Sequence, residues 1–178
     1  ARRRPSAPPL TLYPWVDVNV DGRDLVAPLE LAPGMTVAGR VTFDDPATAP
    51  KDAVVNVSLV PVKSGPALSV SPAPTDASGA FRMVGGPVGR YRLDYSAGRS
   101  LDAWRLVSAV LNGREVLDAP LEIRSGEDAT DLTLRFTNRP SELSGRLQTS
   151  AGQPATAFSV IVFSTDRAFW TPSSRRVR

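Results

Sequence analysis

Histidine and cysteine are both absent from the 178 residues. Those two absences exclude disulfides, Cys-based metal sites, thiol nucleophiles and an imidazole general base, while leaving the redox compartment open. Lysine is nearly absent. Lys51 and Lys63 are the two lysines, and arginine supplies the rest of the 21 basic residues, a usage expected of a GC-rich genome. No apolar run approaches the ~20 residues that a membrane-spanning helix needs, so no membrane insertion is expected. The opening Ala1–Pro9 stretch carries Arg2, Arg3 and Arg4 without an apolar core behind them, and does not read as a signal peptide. An export signal is expected to have been removed or to lie outside this sequence.

What is present reads as β-structure. Hydrophobic residues make up 42% and charged residues 22%, enough to build and solubilise a core. Seventeen prolines and thirteen glycines are spread along the chain, which suits short strands joined by tight turns. Val16, Val18 and Val20 alternate with polar residues, the period of a half-buried strand, and Leu29 and Leu31 continue the pattern. Further strands are expected at residues 37–43, 55–62, 80–84, 90–95, 104–111, 120–123, 132–136, 143–147 and 158–163. A helix over residues 101–111 is the one competing reading. Many short strands separated by turns predict an all-β sandwich.

The chain also repeats itself. Asp21-Gly22-Arg23-Asp24-Leu25-Val26-Ala27-Pro28-Leu29-Glu30-Leu31 returns as Asn112-Gly113-Arg114-Glu115-Val116-Leu117-Asp118-Ala119-Pro120-Leu121-Glu122-Ile123, with one residue inserted. Val37-Ala38-Gly39-Arg40-Val41 returns as Leu143-Ser144-Gly145-Arg146-Leu147. The offsets, 91 residues from Gly22 to Gly113 and 106 from Gly39 to Gly145, suit one sandwich per repeat.

Four motifs in order carry a family resemblance. They are the V-x-G-R-V strand at 37–41, the apolar strand at 55–62, D-x-x-G-x-F from Asp76 to Phe81, and V-G-x-Y-x-L from Val88 to Leu93. In this order they resemble the carboxypeptidase regulatory-like (prealbumin-like, transthyretin-like) repeat of large exported bacterial proteins. The segment Ser164–Arg176 is similar to a stretch common in such tandem arrays. The resemblance implies a seven-stranded immunoglobulin-like sandwich, placement outside the cytoplasm and no catalytic residues of its own. Its motifs point more to fold than to function.

The repeat is out of phase with the chain. Residues 1–34 read as a segment holding the last strands of a preceding module, 35–138 as a complete module, and 139–178 as the first half of a further one. Half a sandwich leaves its core face wet and its edge unpaired. Either the sequence is a fragment of a longer protein, or the N-terminal strands of one copy complete the C-terminal half-module of the next. Head-to-tail complementation of that kind makes a filament. The assembly interface expected from it comprises Val16, Val18, Val20, Leu29, Leu31, Val160 and Val162. The expected function is that of a structural or adhesive extracellular protein. The alternative is a carbohydrate-binding, cell-wall-binding or spacing module of a larger exported protein. The partners expected are copies of the chain, with surface glycans as the further candidate.

Other constellations carry less. Asp17-Val18-Asn19-Val20-Asp21-Gly22 resembles the opening of a calcium loop, yet its twelfth position is Pro28 where a carboxylate is required. No metal and no cofactor are therefore expected. Serines lack a base to activate them, and Asp44-Asp45 reads as part of a solvated loop, so no catalytic residues and no enzyme are expected. Arg2–Arg4 and the Arg175-Arg176-Val177-Arg178 end read as solvated termini, and no nucleic acid is expected. Trp15, Trp104 and Trp170 are read as packing residues before sugar platforms. Asn56-Val57-Ser58 is a formal glycosylation sequon, given little weight on a strand and in the bacterial setting that the resemblance implies.

Overall fold

A computed structural model describes residues 12–14, 16, 18–29, 31–62, 70–124, 126–139, 141–155, 157–170 and 174–176. By compactness the chain divides into two units, residues 1–138 and 139–178.

The first unit is an all-β sandwich preceded by a short ribbon. Its strands are β1 (Leu12–Pro14), β2 (Leu31–Pro33), β3 (Met35–Phe43), β4 (Val55–Pro61), β5 (Ala73–Pro74), β6 (Ala80–Gly86), β7 (Gly89–Ala97), β8 (Arg105–Leu111), β9 (Arg114–Glu115), β10 (Leu121–Ile123) and β11 (Ala129–Thr137). One sheet has the order β6-β3-β11-β8-β9 and the other β10-β7-β4-β5, while β1 and β2 pair with each other alone. Within the sandwich β3 and β11 run parallel, with Gly39 opposite Leu132 and Phe43 opposite Phe136. The remaining strand pairs are antiparallel.

Alternation places the core. Val55, Val57 and Leu59 of β4 face inward, as do Tyr91 and Leu93 of β7 and Leu132, Leu134 and Phe136 of β11. They form one apolar cluster drawn from both sheets. At its end four aromatic rings interlock. Phe43 meets Trp104 edge-on at 4.9 Å, and Tyr95 meets Phe136 edge-on at 5.2 Å. Such pairs contribute ~0.5–1.5 kcal/mol beyond the area they bury.

The motifs have local physical causes. The Asp76 carboxylate accepts hydrogen bonds from the Ser78 amide (2.8 Å), the Ser78 hydroxyl (2.7 Å) and the Ala80 amide (3.0 Å), closing the turn that aims Phe81 inward. The Ser78 hydroxyl first, then the Ala80 and Ser78 amides, hold that carboxyl below its usual value. The Tyr91 hydroxyl donates to the Pro87 carbonyl at 2.9 Å, pinning the turn between β6 and β7.

Several expected elements take other forms. The helix considered for 101–111 is a 3-10 turn over Arg99–Leu101 followed by strand β8. The described residues among 16–20 belong to no strand, and Val16, Val18 and Val20 are all exposed. Residues 143–147 and 158–163 likewise form no strand. In the second unit the described residues form no strand; Gln148 and Pro154 make an isolated antiparallel bridge. The physical reason is common to all three segments. A strand is stabilised by a row of a neighbour's N–H and C=O groups, and among the described residues these segments lie beside no strand. The Leu147 carbonyl accepts from the Ala155 amide and Phe163 forms a bridge, each a single pairing.

Candidate functional site

The copy of the repeated motif inside the sandwich shows what its residues are built to do. Asn112 and Gly113 both adopt positive φ, +50° and +76°, and make the two-residue turn joining β8 to β9. Behind this turn the Glu115 carboxylate accepts from the Ser108 hydroxyl at 2.6 Å, the Ala109 amide at 2.8 Å and the Leu117 amide at 3.1 Å. Partial burial pushes Glu115 up, but the bonds from Ser108, Ala109, Leu117 and Val116 outweigh it, and the carboxyl lies below its usual value. The clamp lets Val116 turn into the core, and β10 then pairs with β7, Leu121 opposite Tyr91.

The N-terminal copy keeps the glycine's conformation but not the turn: residues 21–23 form a bend, and Asp21 lacks the positive φ of its counterpart Asn112. Gly22 has φ +85°, close to its counterpart Gly113. Leu29 stands where the sandwich has Leu121, yet Leu29 is 61% exposed and Leu121 2%. Leu25 and Leu31 are exposed in the places of the buried Val116 and Ile123. Continuing the alignment backwards sets Val16, Val18 and Val20 opposite Val107, Ala109 and Leu111 of β8.

The C-terminal copy shows the same contrast. A Cβ on Gly39 would lie 1.8 Å from the Leu132 carbonyl oxygen, because β11 bulges between Ala129 and Leu132 and presses its backbone onto β3. A Cβ on Gly145 would meet nothing within 4 Å. Val37 is 1% exposed and its counterpart Leu143 is 78% exposed. Phe158, Val160, Ile161 and Val162 are exposed as well. Of the seven residues expected at an assembly interface, all are solvent-facing. The structure gathers Val16, Val18, Val20, Leu29 and Leu31 in one unit, and Val160 with Val162 in the other.

Other candidates hold less chemistry. Trp104 is buried against Phe43 and offers no ring face. Trp170 is half-exposed, edge-on to Phe163 at 5.5 Å, its indole donating to the Ser164 carbonyl at 2.7 Å and the Arg167 guanidinium 5.6 Å from its ring. Arg176 stacks over Phe169 at 4.5 Å. A cavity of about 360 Å³ opens at one end of the sandwich beside Tyr95, Asp102, Trp104 and Arg105. The Arg105 guanidinium there donates to the Asp102 and Trp104 carbonyls. Asp44 pairs with Arg135 at 3.1 Å, and Asp45 accepts from the Ala47 amide. Asp17, Trp15 and Arg2–Arg4 lie outside the described residues, while Asp21 accepts from the Arg23 amide. Among the described residues no group of three or more acidic side chains is gathered as a metal ion would require. Asn56, the sequon residue, lies on β4 with β7 on one side and β5 on the other.

The Glu115 clamp and the pressed Gly39 escape sequence reasoning. The one signal for Gly39 is that both copies of its strand keep the glycine. No family model, no curated protein and no solved structure matches this chain.

Proposed function

We propose that the protein is a structural, adhesive component of an extracellular array. Its sandwich is the rigid body, and the apolar segments flanking it make head-to-tail joints to neighbouring units of the same kind, copies of this chain among them. One observation carries the reading: a motif that buries Val116, Leu121 and Ile123 in the sandwich recurs in the flank with Leu25, Leu29 and Leu31 in solvent. Covering each such side chain stabilises the covered state by roughly 1.5–3 kcal/mol. The resemblance of the four ordered motifs to exported bacterial repeats supports the extracellular setting and the tandem, incomplete modules at either side.

The joint takes a reduced form. The N-terminal flank carries counterparts of β8, β9 and β10, and the C-terminal unit counterparts of β3 and, by order, β4. Neither carries a counterpart of β7 or β11, each an inner strand of its own sheet. The two flanks of successive copies therefore meet through apolar faces and a partial ladder, not as a complete second sandwich. Analytical ultracentrifugation tests the reading. The full chain should gain mass with concentration, and deletion of residues 1–34 should abolish the gain. A full chain that stays monomeric at every concentration removes copies of itself as the neighbours.

A second reading has its own observation. The half-exposed Trp170, braced by Phe163 and flanked by Arg167, is a ring on which a sugar face stacks. Binding on a glycan array that disappears in Trp170→Ala favours a carbohydrate-binding module. Silence across the array removes it and leaves a spacer.

A further inference from the structure

We propose that the turn between β8 and β9 is a site of spontaneous main-chain modification: Asn112 closes a cyclic imide on Gly113, and the isoaspartate that results releases β9 from β8. The inference is independent of the joint-making role given above to the flanking segments.

The chain has four asparagines, and the residue after each decides how closely its backbone nitrogen can approach the side-chain carbonyl. Valine follows Asn19 and Asn56 and arginine follows Asn138, so a side chain crowds the approach at all three. Glycine follows Asn112, and the space around it is open: a Cβ there would meet nothing within 4 Å. Both turn residues are exposed. Among the described residues neither the Asn112 carboxamide nor the Gly113 amide has a hydrogen-bond partner. The attacking nitrogen and the carbon it attacks are therefore adjacent, wet and unengaged. Asn112 is also the one non-glycine residue with positive φ among those described, a conformation that only the turn imposes. Beyond it β9 is two residues long and lies at the edge of its sheet, where opening is a local event. In the N-terminal copy the place of Asn112 is held by Asp21, which has no ammonia to lose.

Water is the one co-reactant. Hydroxide takes the Gly113 amide proton, the nitrogen bonds to Asn112 Cγ, the Cγ–Nδ2 bond breaks, and ammonia leaves with a proton from water. Water then opens the imide. Opening at Cγ leaves aspartate, and opening at the backbone carbonyl leaves isoaspartate, with the chain running through Cγ. Isoaspartate adds a methylene to the main chain, which a two-residue turn with both φ positive does not absorb. The pairs Val110–Glu115 and Leu111–Arg114 then lose register, and the Glu115 carboxylate leaves the Ala109 amide.

The test holds the full chain in mildly alkaline buffer and follows each asparagine by peptide mass spectrometry, with an isoaspartyl methyltransferase assay for the product. Asn112 should convert at least about tenfold faster than Asn19, Asn56 and Asn138, and faster still as pH rises. The isoaspartate form, isolated by chromatography, should exchange its Ala109 amide hydrogen about tenfold faster than the unmodified chain. Asn112→Asp, which has the charge without the added methylene, should exchange it at the unmodified rate. Conversion of Asn112 no faster than that of the other three overturns the proposal. Unchanged exchange at Ala109 in the isoaspartate form overturns it too, as does equally fast exchange in Asn112→Asp, which would assign the release to charge.

Discussion

Residues 112–123 and residues 21–31 are close copies with opposite fates. The first is a turn and two strands that bury three apolar side chains. The second keeps the positive-φ glycine of the turn but exposes the leucines at the same three places. Local sequence explains the positive φ of the glycine in both, but the two-residue turn closes only in the sandwich copy, where Asn112 shares it. It explains the strands in neither. What separates the copies is the sheet around them: in the sandwich β9 pairs with β8 and β10 with β7, whereas the β8 counterpart at residues 16–20 forms no strand among the described residues. Burial here is a property of the pair of surfaces, not of the motif.

The sharpest way to break the comparison is at the paired glycines. Gly39→Val sets a side chain against the Leu132 carbonyl and should cost more than about 4 kcal/mol, enough to abolish cooperative unfolding. Gly145→Val should leave the urea midpoint of the isolated chain unmoved. Next come the paired leucines. Leu121→Ala opens a cavity in the core and should cost about 2–5 kcal/mol by urea denaturation. Leu29→Ala should change stability by less than about 0.5 kcal/mol in the monomer. A large effect there, in a chain shown to be monomeric, would mean that the flank is already covered.

The acid pair sharpens the contrast further. Glu115→Gln keeps one oxygen for the Ala109 and Leu117 amides, but it removes the charge and replaces the oxygen that accepts from Ser108 with an NH2 group. It should cost about 1 kcal/mol after solvent screening, whereas Asp24→Asn at the flank position should cost nothing measurable. Because the folded pKa of Glu115 is depressed, its contribution is present above the unfolded carboxylate value. It is lost as pH falls through the lower folded value. Wild type should therefore lose more stability than Glu115→Gln across that acid window, measured by urea midpoints at a series of pH values. The smallest effect belongs to the surface pair. Arg135→Ala should cost about 0–1 kcal/mol, because its partner Asp44 and the guanidinium are both in contact with water.

How much was legible in the sequence follows from the same distinction. The strands at 55–61, 89–97 and 129–137 and the Asp76 turn were readable, since alternation and turn chemistry are local and their partners are present to receive them. The valines at 16, 18 and 20 gave equally good alternation, and residues 158–163 an almost continuous apolar run, without forming strands. Alternation measures fitness for a sheet and does not show that the sheet is there. The Glu115 clamp was unreadable for a different reason: Ser108 and Ala109 come to its carboxylate only after the turn at Asn112-Gly113 has folded the chain back. The repeat was visible, but not that its wider second spacing accommodates β11, the strand that presses on Gly39.

The parallel register of β3 and β11 has a mechanical consequence. These strands open and close the sandwich, and because they point the same way the chain arrives at one end of the sheet and departs from the other. Nine residues of strand advance the path by roughly 30 Å between those points. A pull on the residues before Met35 and after Thr137 is then directed along the β3–β11 ladder, so its hydrogen bonds are sheared together and do not peel apart singly. Such a body transmits tension along its length and yields only when the whole seam gives way at once.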